Sequence, residues 1–370
     1  MRRRGRRILL AIAFAVALAA GAGWWEFVLS RGRTPPIVDA DGAVVSGSVA
    51  SLEELRIGGV PQWVLVRGRD RTRPIVLFVH GGPGMPAMFL AHAWQRALEE
   101  DFVVVHWDRR GTGKSWRAEP PPGSLGVRRT LDDLLELTDL LRSRFGQDRI
   151  YLLGHSWGSY LGLLAVRERP ERYLAFIGTG QMAGSRADVA AARRALLARR
   201  AAEDGDEELA ARVRRPGAEP TEDELFRHGG ELRGATSLWP LVAAGLRAPE
   251  YDLWDLLELK GAAERVNRSM RSDVLPRPLE GEIPRFEVPV FFLLGRFDMD
   301  APSDLAAAYL ERLEAPRKAV EWLEGSAHFP FFEEPEAFRG AMLRVDAAAR
   351  RFWSDAAAPA DPSRRSPRHR

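Results

Sequence analysis

Residues 150–159 read Ile150-Tyr151-Leu152-Leu153-Gly154-His155-Ser156-Trp157-Gly158-Ser159, an apolar run that ends in Gly-x-Ser-x-Gly. The run has the composition of a buried strand, and the apolar stretch Leu161 to Val166, closed off before Pro170, reads as a helix. A serine between the two sits at the apex of a sharp strand-to-helix turn, a nucleophile elbow, where a strained backbone exposes its hydroxyl. Gly154 and Gly158 serve the backbone and not the chemistry, since a side chain two positions from the serine collides across so tight a turn. A glycine-flanked loop serine is the bland reading of so short a pattern, and the flanking strand and helix favour the elbow.

A serine hydroxyl is a poor nucleophile until a base takes its proton, so the reading requires a histidine and a carboxylate elsewhere. Around elbows of this type the partners follow in the order serine, acid, histidine. The strand-like run Val288 to Gly295 leads into Arg296-Phe297-Asp298-Met299-Asp300-Ala301-Pro302, which makes Asp298 the candidate acid. Asp300 is its rival, and Asp304 suits the first turn of a helix opened near Pro302. Val320 to Leu323 read as a short strand, followed by Gly325-Ser326-Ala327-His328-Phe329-Pro330, and His328 is the candidate base. The third part is an oxyanion site. Pro74 to Val79 form a strand that runs into His80-Gly81-Gly82-Pro83-Gly84, a loop able to present bare N–H groups. The amides of Gly82 and Trp157 are the candidate donors, with His80, Gly81 and Gly84 supporting them. Losing one such donor typically costs about 10²- to 10³-fold in rate. A tight turn after a strand is the plain alternative for the loop.

Gly113-Lys114-Ser115 resembles the end of a phosphate-binding loop, but position 108 is Asp where that motif needs Gly. The segment reads instead as the loop after the strand Val103 to Trp107, with Arg110 and Asp108 expected to hold the oxyanion loop by hydrogen bonds.

Together His80 to Gly84, Asp108-Arg109-Arg110-Gly111-Thr112-Gly113-Lys114-Ser115, the elbow, and the Asp298 and His328 segments resemble α/β-hydrolases of the proline iminopeptidase type, over residues 47 to 350. The resemblance implies an α/β fold, a mostly parallel sheet with helices on both faces and an inserted helical cap. It also implies a serine hydrolase working through an acyl-enzyme, and an aminopeptidase whose cap acids hold the substrate's free amine. Members with that activity usually carry Gly-Gly-Ser-Trp-Gly and Asp-Gln-Arg-Gly, where this chain has His155 and Arg109. Members with these departures look like general serine hydrolases, so an esterase acting on small uncharged esters stands beside the aminopeptidase. A catalytically silent fold that binds a ligand is the reading from another class. Dehalogenase-like siblings use an aspartate nucleophile, against which Ser156 argues.

The 370 residues, 45% hydrophobic and 28% charged, allow one ample core with an insertion. No cysteine is present, which excludes disulfides, thiolate metal sites and a cysteine nucleophile. No ligand cluster or dinucleotide fingerprint calls for a metal or an organic cofactor. The arginines at the two ends supply more than the whole net charge of +3, so the body is mildly acidic and nucleic acid is not an expected partner. A small molecule or short peptide is expected as substrate, and no feature of the sequence names an oligomeric state.

Arg2, Arg3, Arg4, Arg6 and Arg7 precede an uncharged, mostly apolar stretch from Ile8 to Trp25, about 27 Å long if helical and close to the roughly 30 Å core of a bilayer. With basic residues before it and Trp24 and Trp25 at its far end, it reads as a single-pass anchor that places the remainder outside the cytoplasm. A signal peptide cut near Ala20-Gly21-Ala22, giving a secreted protein, is the rival. The expected organisation is an anchor or signal segment (1–29), a linker (30–46), a first core part (47–181), a helical cap (182–285), a second core part (286–354) and a disordered basic tail (355–370). Within the cap Arg186 to Arg215 favours helix. Trp239, Tyr251 and Trp254 are candidates to line the pocket, and Glu231, Asp252, Asp255 and Glu258 to bind an amine. Ordinary packing and a solvated helix face are the plainer readings of the same residues.

Overall fold

Runs of valine, leucine and phenylalanine become strands buried at every position: β3 (Ile75–Val79), β4 (Val103–Asp108), β5 (Ile150–His155) and β7 (Val290–Gly295). This is a computed structural model, and it describes residues 31–357, apart from 119, 122, 216 and 271–284, together with residue 21. With β1 (Val49–Ile57), β2 (Val60–Gly68), β6 (Tyr173–Thr179) and β8 (Lys318–Leu323) they form one eight-stranded sheet ordered β1-β2-β4-β3-β5-β6-β7-β8. β1 and β2 pair antiparallel, as do β2 and β4, and every other neighbouring pair is parallel.

Strands buried at every position need cover on both faces. Ile75, Leu77 and Val79 of β3 pack toward α1 (Val127–Phe145), α2 (Trp157–Glu168) and α8 (Ser303–Arg312). Val76 and Phe78 point the other way, into a cluster that holds α9 (Pro335–Ala357) and the Met88–Trp94 segment. Asp304 lies in the first turn of α8, as the sequence led one to expect. The β1–β2 hairpin was not read from the sequence. β1 is a half-exposed edge strand carrying Glu53, Glu54 and Arg56, so no apolar run announces it.

Residues 182–285 enter between β6 and β7 and contain, among the described residues, helices and no strand named within a sheet. The helices are α3 (Arg186–Glu203), α4 (Glu207–Val213), α5 (Glu222–Arg227), α6 (Trp239–Gly245) and α7 (Leu253–Ser269). The helix expected over 186–215 breaks at Asp204-Gly205-Asp206, where Gly205 takes φ 83° and Asp206 caps α4 through the amide of Leu209. Residues 31–46, expected as a linker, are docked: Arg31 donates to the carbonyls of Leu246, Ala248 and Tyr251, Gly32 N–H donates to Pro249 O at 2.8 Å, and Ile37 is buried. α9 runs through residue 357, beyond the expected start of the tail at 355. The expected anchor, residues 8–25, lies apart from residue 21 outside the described residues, among which no helix is long and apolar enough to cross a membrane.

Candidate active site

Ser156 stands between β5 and α2 as the N-cap of the helix, with φ 52° and ψ −126°, and it is the one non-glycine described residue with a positive φ. Such a conformation costs on the order of 1–3 kcal/mol and persists only where neighbours over-determine it. Here they do: Ser156 N–H donates to Thr179 O at 3.0 Å, and the Ser159 amide and hydroxyl donate to Ser156 O at 2.8 and 2.6 Å. Gly158 is required for a reason beyond the turn, because a Cβ there would strike the carbonyls of Val79 and His80 at the end of β3. A Cβ on Gly154 would lie 2.6 Å from Gly158 O.

The His80–Gly84 loop lies against the serine: a Cβ on Gly81 would sit 2.7 Å from Ser156 Cβ and 3.2 Å from its Oγ. Gly82 follows with φ 110°. Trp157 is the first residue of α2, so its N–H belongs to the unpaired donors at the positive end of a helix. A guanidinium grips the loop from below. Arg109 Nη2 lies 2.7 Å from Gly81 O, 2.7 Å from Pro83 O and 2.8 Å from His80 Nδ1. Nη2 has two protons for these three contacts, and His80 Nδ1 also lies 3.0 Å from Gly81 O, so ring and guanidinium share that carbonyl. Burial, then the Arg109 charge, holds the His80 imidazole well below its usual range and keeps it neutral.

This corrects the expectation for Arg110. Its side chain turns away from the oxyanion loop and pairs with Asp133 of α1 at 2.6 Å (Nε) and 2.8 Å (Nη2), tying β4 to α1. Asp108 holds its own loop, accepting from Lys114 N–H at 2.7 Å and from the Tyr251 hydroxyl of the cap. Arg109 was the missed residue; the signal was its place next to Asp108, directly after a buried strand.

Asp298 and His328 meet. His328 Nδ1 is 2.9 Å from Asp298 Oδ2, and Asp298 Oδ1 accepts from the amides of Asp300 at 2.9 Å and Ala301 at 2.8 Å. The rival acid takes the opposite edge of the ring, with Asp300 Oδ2 3.5 Å from His328 Nε2. Asp300 is held there by Arg193 of α3 at 2.8 Å. The imidazole packs beside the elbow, its ring 4.7 Å from that of His155 and its carbonyl 3.0 Å from His155 Nε2. No hydrogen bond joins Ser156 Oγ to His328 among the described residues. Burial alone would depress the His328 imidazole, but Asp298, Asp300 and Glu231 together push it up to about 10. Burial, then Asp300, raises the Glu231 carboxyl to about 8, and the Glu231 carbonyl accepts the His328 amide at 3.0 Å.

Of the four cap acids, Glu231 alone reaches this site. Asp255 is fully buried against Lys114 (2.6 Å) and Arg117 (3.1 Å), Asp252 caps α7 and pairs with Arg117, and Glu258 faces Arg265 at 3.6 Å. The aromatic expectations also change. Tyr251 is buried on Asp108, while Trp239 and Trp254 are 64% and 66% exposed. The cavity beside the elbow, about 370 Å³, is walled by Gly81, Phe89, His155, Leu241, Leu256 and Phe329 among others, and among the described residues Lys260 is the only charged one lining it. Among the described residues no group of side chains could hold a metal ion.

An elbow serine after the fifth strand, a histidine–aspartate pair after the last two strands and a cap inserted before them define an α/β hydrolase. The chain belongs to the alpha/beta hydrolase family, whose model matches residues 76–341. Within it, the likeness is to the proline iminopeptidase type. Probable aminopeptidase YbaC of Bacillus subtilis is 29% identical over 309 residues, covering 80% of this chain and 96% of that protein. The proline iminopeptidase of Mycobacterium smegmatis superimposes with TM-score 0.58 at 19% identity, covering 81% of this chain and 98% of that one. A membrane phospholipase A shares the fold with TM-score 0.56 at 20% identity over 93% of this chain and 99% of its own.

Proposed function

We propose that the chain is a membrane-tethered serine hydrolase that cleaves an amide or ester through an acyl-enzyme. Ser156 attacks the acyl carbon, and His328 takes its proton and then gives it to the leaving group. Asp298 fixes the tautomer and stabilises the imidazolium, and the Gly82 and Trp157 amides bind the oxyanion. Water then reverses the steps to free the acid. The observation that carries this reading is the 2.9 Å His328–Asp298 contact beside a serine held at positive φ. Closure of His328 Nε2 onto the serine accompanies substrate binding, as catalytic hydrogen bonds often tighten only in the complex.

The aminopeptidase reading is supported by Glu231 and Asp300, two carboxylates beside His328 that suit a substrate ammonium, and by the aminopeptidase name of the Bacillus relative. The esterase reading is favoured by the apolar cavity, whose wall offers no carboxylate among the described residues. Labelling by a fluorophosphonate, abolished in Ser156→Ala, tests the mechanism, and an unlabelled wild-type protein would exclude it. Comparing prolyl-arylamide with short acyl-arylester turnover separates the two substrates. Tethering by residues 8–25 is part of the proposal, with the catalytic body outside the cytoplasm.

A further inference from the structure

Seven large apolar side chains stand in water on two neighbouring cap helices: Leu238, Trp239, Val242 and Leu246 on or beside α6, and Leu253, Trp254 and Leu257 on α7. Leu238, Val242 and Leu246 repeat every four residues and form one stripe, and the same three line the mouth of the 370 Å³ cavity. A patch of this kind, continuous with a pocket, is a surface awaiting cover.

Its surroundings indicate what covers it. Arg31 follows the apolar stretch 8–25 by a few residues, and it is pinned to the carbonyls of Leu246, Ala248 and Tyr251 at the edge of the stripe. The described body therefore begins at this face, with Arg31. Exposed Arg96 and Arg247 stand close by: burial, then Arg96, Arg247 and Arg31, depress the His92 imidazole to about 4. Lys260 adds a cation at the cavity mouth, with Glu264 4.0 Å away as its counter-charge. Tryptophan and leucine flanked by arginine and lysine are the composition of a surface that settles into the headgroup region of an anionic bilayer.

We infer that the α6–α7 face of the cap docks on the phospholipid bilayer and opens the apolar cavity toward it, so that lipophilic substrates enter from the membrane. This rests on the tethering by residues 8–25 proposed above. The anchor and the docked face act as two linked contacts, the second made at the high effective concentration set by the first.

The chain lacks cysteine, so single labels are clean. Full-length Val242→Cys and Leu257→Cys proteins, each carrying a polarity-sensitive dye, are reconstituted in phosphatidylcholine–phosphatidylglycerol vesicles, with Glu311→Cys on α8 as the reference. The expected result is a blue shift and quenching by doxyl-labelled lipid at 242 and 257, with neither at 311. A protein that floats with the vesicles while both labels stay in water overturns the docking and leaves the anchor intact. A blue shift already present in detergent without doxyl quenching shows that a second copy or the chain's own N-terminus covers the patch, and also overturns it. A protein that does not float removes the tether and the docking together.

Discussion

Asp300 Oδ2 lies 3.5 Å from His328 Nε2, on the edge of the imidazole opposite the one that Asp298 holds at 2.9 Å. With Glu231 these carboxylates outweigh burial and push the imidazole up to about 10. A base must be unprotonated to accept the serine proton, so kcat/KM on a neutral ester is expected to climb with pH through the alkaline range. Asp300→Asn removes one negative charge that favours the imidazolium and moves the acid limb to lower pH. Superimposable limbs for the two proteins would show that Asp300 does not act on His328.

Arg110 and Asp133 form a pair with 2% and 0% exposed side chains, and removing one partner strands a buried charge. Arg110→Ala is expected to cost about 3–5 kcal/mol, read from urea unfolding, because Gln62 and Arg129 satisfy Asp133 only in part. Arg110→Met combined with Asp133→Leu recovers most of the loss. Turnover per folded molecule stays near wild type, since neither residue touches the oxyanion loop; a selective fall in kcat at full stability would contradict this.

The backbone of Ser156 offers a stability test independent of chemistry. Alanine keeps the strain at φ 52°, whereas glycine adopts that region freely but loses roughly 0.5–1 kcal/mol of chain entropy. Against a strain of about 1–3 kcal/mol the balance favours glycine. Ser156→Gly is therefore expected to unfold at higher urea than Ser156→Ala, both being inactive. Equal midpoints would mean that the strain does not exceed the roughly 0.5–1 kcal/mol of entropy that glycine loses.

The parallel core was legible because buried strands are written as unbroken apolar runs, and β3 ends at Val79, where its sequence indicates. The edge hairpin was not, because a half-exposed strand such as β1 alternates weakly and carries charge. At the site, Asp298 and His328 were fixed by their place after strands. The cap roles stayed open for Asp252, Asp255 and Tyr251, since helical spacing does not say whether an acid meets a substrate or, like Asp255, a lysine from another loop. Arg109 and Arg110 are adjacent in sequence and both buried, and only the direction in which β4 delivers each side chain separates a loop clamp from a β4–α1 tie.

That direction gives Arg109 a consequence of its own. Its Nη2 spans two carbonyls of the loop lying against Ser156, and its guanidinium lies 4.8 Å from the centroid of the Trp157 ring, so one side chain touches both segments that carry the proposed oxyanion donors. Arg109→Gln shortens the reach and removes the stacked cation, leaving Gly81 and Pro83 O without a shared donor. A loop displaced by about 1 Å can cost on the order of 10²-fold in rate, and the loss is expected in kcat more than in KM because the apolar cavity is unchanged. Arg109→Lys, a point charge without the planar fork, should restore only part. Thermal melting separates this from general destabilisation. A folded Arg109→Gln protein with wild-type kcat would mean that the loop holds its shape without the clamp.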